Sequence, residues 1–301
     1  MKEYAFKPKK LPVISGYEAI NILNKLRRGQ LSDANLSLGK YKNVPVKVSG
    51  ERVIFKWMDR ENEQLFLELE IEQLMYISKK EYRIYVIYPD NSMRHLGYFS
   101  DSNYYQLITV DPYKAPTIEI NGIRMHKTKG VAPFNNAKSK VLKLRVKKGM
   151  RVLDICTGLG YTAIWATTFG GQVTSIEKDV NVLKMAEFNP WSEELSGIEI
   201  LLGDALKVIR ELDTDYYDRV INDPPRFSVA GELYSLEFFE EVFRVLKPRG
   251  IFFQYTGFPQ EKYRGKSIVK GIGERLRRAG FVTKFDAKAE GFICRKPKLY
   301  S

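Results

Sequence analysis

Val152-Leu153-Asp154-Ile155-Cys156-Thr157-Gly158-Leu159-Gly160-Tyr161-Thr162-Ala163-Ile164 runs an apolar strand into a Gly-x-Gly turn and out into an amphipathic helix. Glycines at such a turn let the backbone bend sharply and approach a ligand closely. The same pattern also serves as a purely structural strand–turn–helix, so its meaning rests on the residues downstream of it. Glu177, nineteen positions after Gly158, closes the next apolar run, where a carboxylate can accept both ribose hydroxyls. Asp204, in Leu202-Gly203-Asp204-Ala205-Leu206, closes the third run and is placed to accept from an adenine amino group. Either carboxylate alone fits a helix N-cap. Three signals at successive strand ends favour an adenosine-bearing cofactor.

Working outward, residues 126–301 alternate strand and helix. Strands are expected at Arg151–Ile155, Gln172–Ile176, Ile198–Leu202, Arg219–Asn222, Gly250–Tyr255, Phe281–Phe285 and Gly291–Cys294, with helices at Leu233–Leu246 and Ser267–Ala279. That alternation predicts an α/β fold with a Rossmann-like, doubly wound sheet, whose ligands sit at the carboxyl ends of its strands. Residues 1–125 form a smaller, mostly β domain behind a leading helix. Ser15-Gly16-Tyr17-Glu18 is a capping box, and Ile20, Leu23 and Leu26 follow on one helical face. Val44–Val48, Arg52–Trp57 and Arg83–Tyr88 are β-branched or aromatic runs, while Leu65–Glu72 alternates in a way that also admits a helix.

Composition narrows the class. The chain has 301 residues, 44% of them hydrophobic, enough for a substantial core. No run approaches the roughly 18 apolar residues of a membrane span, and no secretory signal opens the chain, so a cytoplasmic protein is expected. Two cysteines, Cys156 and Cys294, make neither a disulfide framework nor a metal knuckle, and no metal site is expected. The net charge of +13 is segregated: residues 1–50 and 101–150 each carry ten basic against three acidic residues, and 251–301 carry twelve against four. A solvated lysine-rich surface fits this, and a face that neutralises phosphates fits it better.

The turn itself points to the cofactor class. A pyrophosphate fingerprint would have its third glycine at Ala163, a tolerated variant, but Asp154 would repel a pyrophosphate. The same carboxylate suits a cationic amino-acid moiety, which favours S-adenosylmethionine. Asp154-Ile155-Cys156-Thr157-Gly158-Leu159-Gly160-Tyr161, Ser175-Ile176-Glu177-Lys178-Asp179, Gly203-Asp204-Ala205-Leu206 and Asn222-Asp223-Pro224-Pro225-Arg226-Phe227 occur in that order. In them, residues 150–256 resemble a class I S-adenosylmethionine-dependent methyltransferase and, more narrowly, a set of predicted archaeal methyltransferases. The resemblance implies cofactor contacts at Asp154, Cys156, Thr157, Gly158, Gly160, Tyr161, Glu177, Lys178, Asp204 and Ala205. It places catalysis at Asp223, Pro224, Pro225 and Phe227.

An Asp-Pro-Pro turn with an aromatic marks methyltransferases that act on planar exocyclic amines. Such an amine is a poor nucleophile because its lone pair is delocalised into the ring. Acceptors for its two hydrogens, the Asp223 carboxylate and the Pro224 carbonyl, would draw the nitrogen toward tetrahedral geometry, and the prolines would hold that carbonyl in place. Chemistry at a pyrimidine carbon would need a cysteine nucleophile, and neither cysteine is suitably placed. Arg226 departs from the pattern, since an aromatic is usual there. It can stack on a base, grip a phosphate or make a structural ion pair, with Phe227 supplying the ring or packing in the core.

Substrate contacts are expected at Arg226, Lys127, Lys129 and Tyr255, backed by the basic runs Arg124–Lys129 and Lys138–Arg151 and by the tail cations Lys262, Arg264, Lys266, Lys270, Arg275, Arg277, Arg278 and Arg295–Lys298. His126 reads as a satisfied surface histidine more readily than a base, and Phe134 as core more readily than a cofactor cover. The expected partner is RNA, ribosomal or transfer, and the leading target is the 4-amino group of a cytidine in rRNA. Guanosine and adenosine amines fit the same turn. Aminopropyl or methyl transfer to a small amine is the enzymatic alternative, with Asp223 and Glu232 as its acidic groups. The net charge of +13 opposes it. A catalytically silent RNA-binding scaffold is opposed by the intact carboxylates.

Overall fold

Val152, Leu153 and Ile155 are fully buried because their strand lies inside an eight-stranded sheet. The computed structural model describes residues 2–58, 64–225, 230–257 and 264–298. The chain divides into two units. The larger comprises Met1–Phe6, Asn135–Leu183 and Glu194–Ser301, and the smaller comprises Lys7–Phe134 and Lys184–Glu193.

The sheet of the larger unit contains β1 (Lys2–Glu3), β2 (Arg151–Ile155), β3 (Gln172–Glu177), β4 (Glu199–Leu202), β5 (Tyr217–Asn222), β6 (Leu246–Tyr255), β7 (Val282–Asp286) and β8 (Gly291–Arg295). Their order across the sheet is β1-β4-β3-β2-β5-β6-β8-β7. The run from β4 to β6 is parallel, while β1, β8 and β7 pair antiparallel with their neighbours. The chain enters at β2, steps outward to β3 and β4, then crosses to lay β5 and β6 on the other side. The reversal between β2 and β5 is a topological switch point, where ligands of such sheets bind beyond the strand ends. Register aligns Ile155 with Asn222 and Asn222 with Gln254, so the turns after β2 and β5 emerge at one edge.

Helices cover both faces, which is why the central strands read as near-continuous apolar runs. Val141 and Leu144 of α1 (Pro133–Leu144) and Ala166 of α2 (Tyr161–Thr168) pack with Val152, Ile221 and Phe253. On the opposite face, residues of α4 (Ala205–Arg210), α5 (Leu236–Val245) and α6 (Arg264–Arg278) pack with Leu153, Ile155, Val220 and Phe252. Helix α3 (Val180–Ala186) follows β3. The single helix expected over 233–246 is broken. A 3-10 turn covers Gly231–Tyr234, then extended Ser235 caps α5 by accepting from Phe238 N at 3.1 Å. Phe238, Phe239, Val242 and Val245 then form the buried stripe of α5.

In the smaller unit, Ser15 and Glu18 close the expected capping box at the start of helix Gly16–Arg27. Its buried face is centred on Ala19, Ile22 and Leu23, with Ile20 and Leu26 half-buried at the margin. Strands Asp33–Leu36, Tyr41–Ser49, Arg52–Met58 and Gln64–Glu70 pair in sequence order. The ambiguous 65–72 stretch is strand through Glu70, with Leu67 and Leu69 buried, and helix from Ile71. A three-stranded and a second four-stranded sheet complete this mostly β unit.

Candidate active site

The turn after β2 holds three residues in the left-handed region, Cys156 at φ 69°, Gly158 at 55° and Gly160 at 77°. A β-carbon on Gly160 would overlap the Leu195 side chain, whereas one on Gly158 would meet nothing closer than Cys156 O at 3.9 Å. Gly160 therefore closes the turn against the protein, and Gly158 leaves room above it. Cys156 N and Thr157 N both donate to Ile176 O at 3.0 Å, tying the turn to β3. The Cys156 thiol is pushed well up by burial and by the neighbouring Glu177, Asp154 and Asp223 carboxylates, so it is no thiolate nucleophile.

Asp154 is completely buried. Ser175 Oγ donates to its Oδ2 at 2.6 Å, and Thr157 Oγ1 lies 2.6 Å from Ser175 Oγ. While Asp154 is ionised, the one Ser175 proton goes to it, and Thr157 is then the donor of the second bond. Burial raises the Asp154 carboxyl to about 7, the Ser175 and Thr162 hydroxyls oppose the rise, and the Asp223 and Glu177 charges add to it. Its Oδ1 has no hydrogen-bond partner among the described residues. A buried acceptor without a donor costs about 1–3 kcal/mol, so this oxygen suits the ammonium group of a ligand.

Glu177, also buried, accepts from Gly158 N at 2.8 Å through Oε2 and from Lys178 N at 2.9 Å and Asp179 N at 3.0 Å through Oε1. Burial raises its carboxyl, and those three backbone donors hold the rise back. Three bonds leave part of the carboxylate's acceptor capacity for ribose hydroxyls. Lys178 Nζ pairs with Glu232 at 3.6 Å. Asp204 is the N-cap of α4, its Oδ1 accepting from Leu206 N at 3.1 Å and Lys207 N at 3.2 Å, and Ala205 opens that helix. Tyr161, the first residue of α2, is buried in the core.

The turn after β5 is braced from several directions. Asn222 donates to Leu233 O at 3.1 Å and to Gln254 Oε1 at 2.8 Å. Asp223 N reaches Ile155 O at 3.4 Å, beside the turn after β2. Pro224 is buried, and Pro225 O accepts the Tyr234 hydroxyl at 3.0 Å. Arg275 Nε donates to Tyr234 O at 2.7 Å. Lys140 Nζ donates to both Asp223 oxygens, at 2.6 and 2.8 Å, and lies 3.8 Å from the centre of the Tyr255 ring. Tyr255 donates its hydroxyl to Glu290 Oε2 at 3.2 Å. Burial first, and the Asp223 charge second, push both tyrosine hydroxyls far up, so neither is a base.

Asp154, Cys156, Glu177, Asp223 and Tyr255 thus converge at one sheet edge of the larger unit. Lys127 and Lys129 belong to the smaller unit. Arg226 and Phe227 lie outside the described residues. His126 is satisfied by Thr117 Oγ1, 2.9 Å from its Nδ1. Phe134 packs against the Trp191 ring, 5.3 Å away. The basic run is partly engaged within the protein: Lys138 lies over Trp165, Lys143 pairs with Asp286, and Arg151 lies over Tyr216. Lys140 and Arg275, expected on an RNA-facing surface, instead brace the turn after β5. Tyr234, Gln254 and Glu290 carry no signal in the sequence.

The family model of a methyltransferase domain matches residues 146–262. With the fold and the turn after β2, that match defines a class I S-adenosylmethionine-dependent methyltransferase, with S-adenosylmethionine as cofactor. Within that class, the chain belongs to the family of MJ1233, an uncharacterized protein of Methanocaldococcus jannaschii. The two are 46% identical over 268 residues, 88% of this chain and 89% of that protein. A provisionally named ribosomal RNA large subunit methyltransferase of the same organism, MJ1649, is 31% identical over 137 residues, 43% of this chain and 34% of its own length. The spermidine synthase of Thermotoga maritima superposes with a TM-score of 0.52 at 16% identity, over 81% of this chain and 79% of that chain, a likeness of fold.

Proposed function

We propose that the enzyme methylates an exocyclic amine of an RNA base, with the 4-amino group of a cytidine in ribosomal RNA as the target. The observation that carries this reading is the placement of Asp223 beside the turn after β2, directly following the neighbouring parallel strand β5, with its N–H toward Ile155 O. S-adenosylmethionine supplies a methyl group on a positively charged sulfur. Asp154 would hold its ammonium group, Glu177 its ribose hydroxyls and Asp204 its adenine amine. Cys156, Thr157, Gly158, Gly160, Tyr161, Lys178 and Ala205 would shape the cradle.

Asp223 and the Pro224 carbonyl would accept the two hydrogens of the target amine and orient its lone pair. Pro225, Tyr234 and Arg275 would keep that turn from shifting as the amine docks. Phe227 and Arg226 would stack on the target base, and Tyr255 would wall the site. RNA is favoured by the charge of +13 and by the activity for which MJ1649 is named. Residues 1–125, with Lys127 and Lys129 just beyond, would select the RNA.

The test is mass spectrometry of nucleosides from rRNA and tRNA of a strain lacking the gene, compared with its parent. Loss of a 4-N-methylated cytidine is expected. Loss of a methylated guanosine or adenosine would move the target to that base, and an unchanged set of nucleosides would end the RNA reading.

A further inference from the structure

Asp223 is not a bare carboxylate. Lys140, eighty-three residues earlier on α1, donates to both of its oxygens. The lysine side chain is 4% exposed and the aspartate side chain 17%. The ammonium is therefore sealed behind the carboxylate, while an edge of the carboxylate reaches the surface. The Tyr255 ring supports the ammonium 3.8 Å away, and Glu290 holds that ring at its hydroxyl. A carboxylate offers about four lone-pair sites, so two bonds from Lys140 leave acceptor capacity on both oxygens for an amine's hydrogens. What Lys140 removes is net charge. An Asp–Lys pair presents hydrogen-bond acceptors without a net negative charge, and a cationic amine gains little from such a site.

We propose that Lys140 is a positioning and specificity-determining residue, which fixes the Asp223 carboxylate plane and cancels its charge so that the turn receives an uncharged amine and turns away a cationic polyamine. The inference rests on the amine-methylation reading of the same turn.

The test uses the full chain and two readouts. Calorimetric titration with spermidine, without RNA, compares wild type, Lys140→Met, Lys140→Gln, Lys140→Arg and the double variant Lys140→Met/Asp223→Asn. Both neutral variants are expected to bind spermidine roughly tenfold or more tightly than wild type, because Asp223 loses its counter-charge. Lys140→Arg and the double variant are expected to stay near wild type. Spermidine affinity within twofold of wild type in both neutral variants, or a gain that persists without the Asp223 charge, would overturn the proposal.

The second readout is methyl transfer to rRNA. Lys140→Met and Lys140→Gln are expected to lower kcat on the order of a hundredfold while KM for RNA and affinity for S-adenosylmethionine stay within threefold, with Lys140→Arg restoring part of kcat. Unchanged kcat in the neutral variants would refute the positioning role. The spermidine titration needs no turnover, so it decides the charge argument even if the target proves not to be RNA.

Discussion

Tyr234 donates its hydroxyl to the carbonyl of Pro225 at 3.0 Å, while its own carbonyl accepts Arg275 Nε at 2.7 Å. The 3-10 turn before α5 thereby ties the proline turn after β5 to α6. Neither proline can donate a backbone hydrogen bond, so the turn depends on bonds made to its carbonyls and side chains. Tyr234→Phe keeps the packing and loses one hydrogen bond, at a cost of about 1 kcal/mol of stability. The expected result is a drop in kcat on the order of tenfold, from a looser turn, with affinity for S-adenosylmethionine unchanged. Chemical denaturation and steady-state kinetics read the two effects separately, and an unchanged kcat would remove this brace from the chemistry.

The proposed function gives Asp223 to the amine and not to the cofactor. Asp223→Ala is therefore expected to abolish methyl transfer while calorimetry still finds near-normal binding of S-adenosylmethionine. It also strands the buried Lys140 ammonium, so the variant should unfold at a lower temperature, since one partner of a buried pair is left alone. Full turnover by Asp223→Ala on its RNA would contradict the assignment.

Asp154 gives the site a pH dependence whose sign is fixed. Burial raises its carboxyl from 3.8 to about 7. A carboxyl raised in the folded state stabilises the fold while protonated. That contribution is complete below its unfolded value and is lost as pH rises toward 7, at about 1.4 kcal/mol per pH unit. Asp154→Asn keeps an oxygen for Ser175 and cannot ionise, so its advantage in melting temperature over wild type should be larger at pH 8 than at pH 5. Cofactor binding has the opposite trend, because the ionised carboxylate is the form that attracts an ammonium. Wild-type affinity should strengthen by up to about tenfold per pH unit up to about 7, and the Asn variant should show a flatter profile.

The parts of the site that are legible in sequence lie within a few residues of a strand end. Asp154 through Gly160 are contiguous, running from the end of β2 through its turn, and Glu177 closes β3, so an apolar run and its breaking residue are enough to locate them. Lys140 is not legible, because nothing in a run of cations from 138 to 151 distinguishes the one that turns inward. Its partner is eighty-three residues away, and only the position of α1 against the parallel sheet brings the two together. The same limit applies to Ser235: an apolar period spans it, and the cap becomes visible only when its side chain meets Phe238 N. In the smaller unit, the shift of the buried helical face from Ile20 to Ile22 reflects the neighbours Val53, Phe55 and Leu74, which share its core. Local period alone leaves that choice open.

The two glycines of the turn after β2 are expected to separate folding from binding. Both have positive φ, so an alanine at either strains the backbone by roughly 1–2 kcal/mol. At Gly160 the added methyl also overlaps Leu195, and overpacking of that kind adds about 1–3 kcal/mol. At Gly158 the space is open, so backbone strain is the whole cost to the fold. Gly160→Ala is therefore expected to lower the melting temperature more than Gly158→Ala. Gly158→Ala should instead lose affinity for S-adenosylmethionine out of proportion to its modest destabilisation, since its methyl enters the room left above the turn. Melting curves and calorimetry on the two variants make the comparison. Equal affinities in Gly158→Ala and wild type would mean that the cofactor does not lie over this turn.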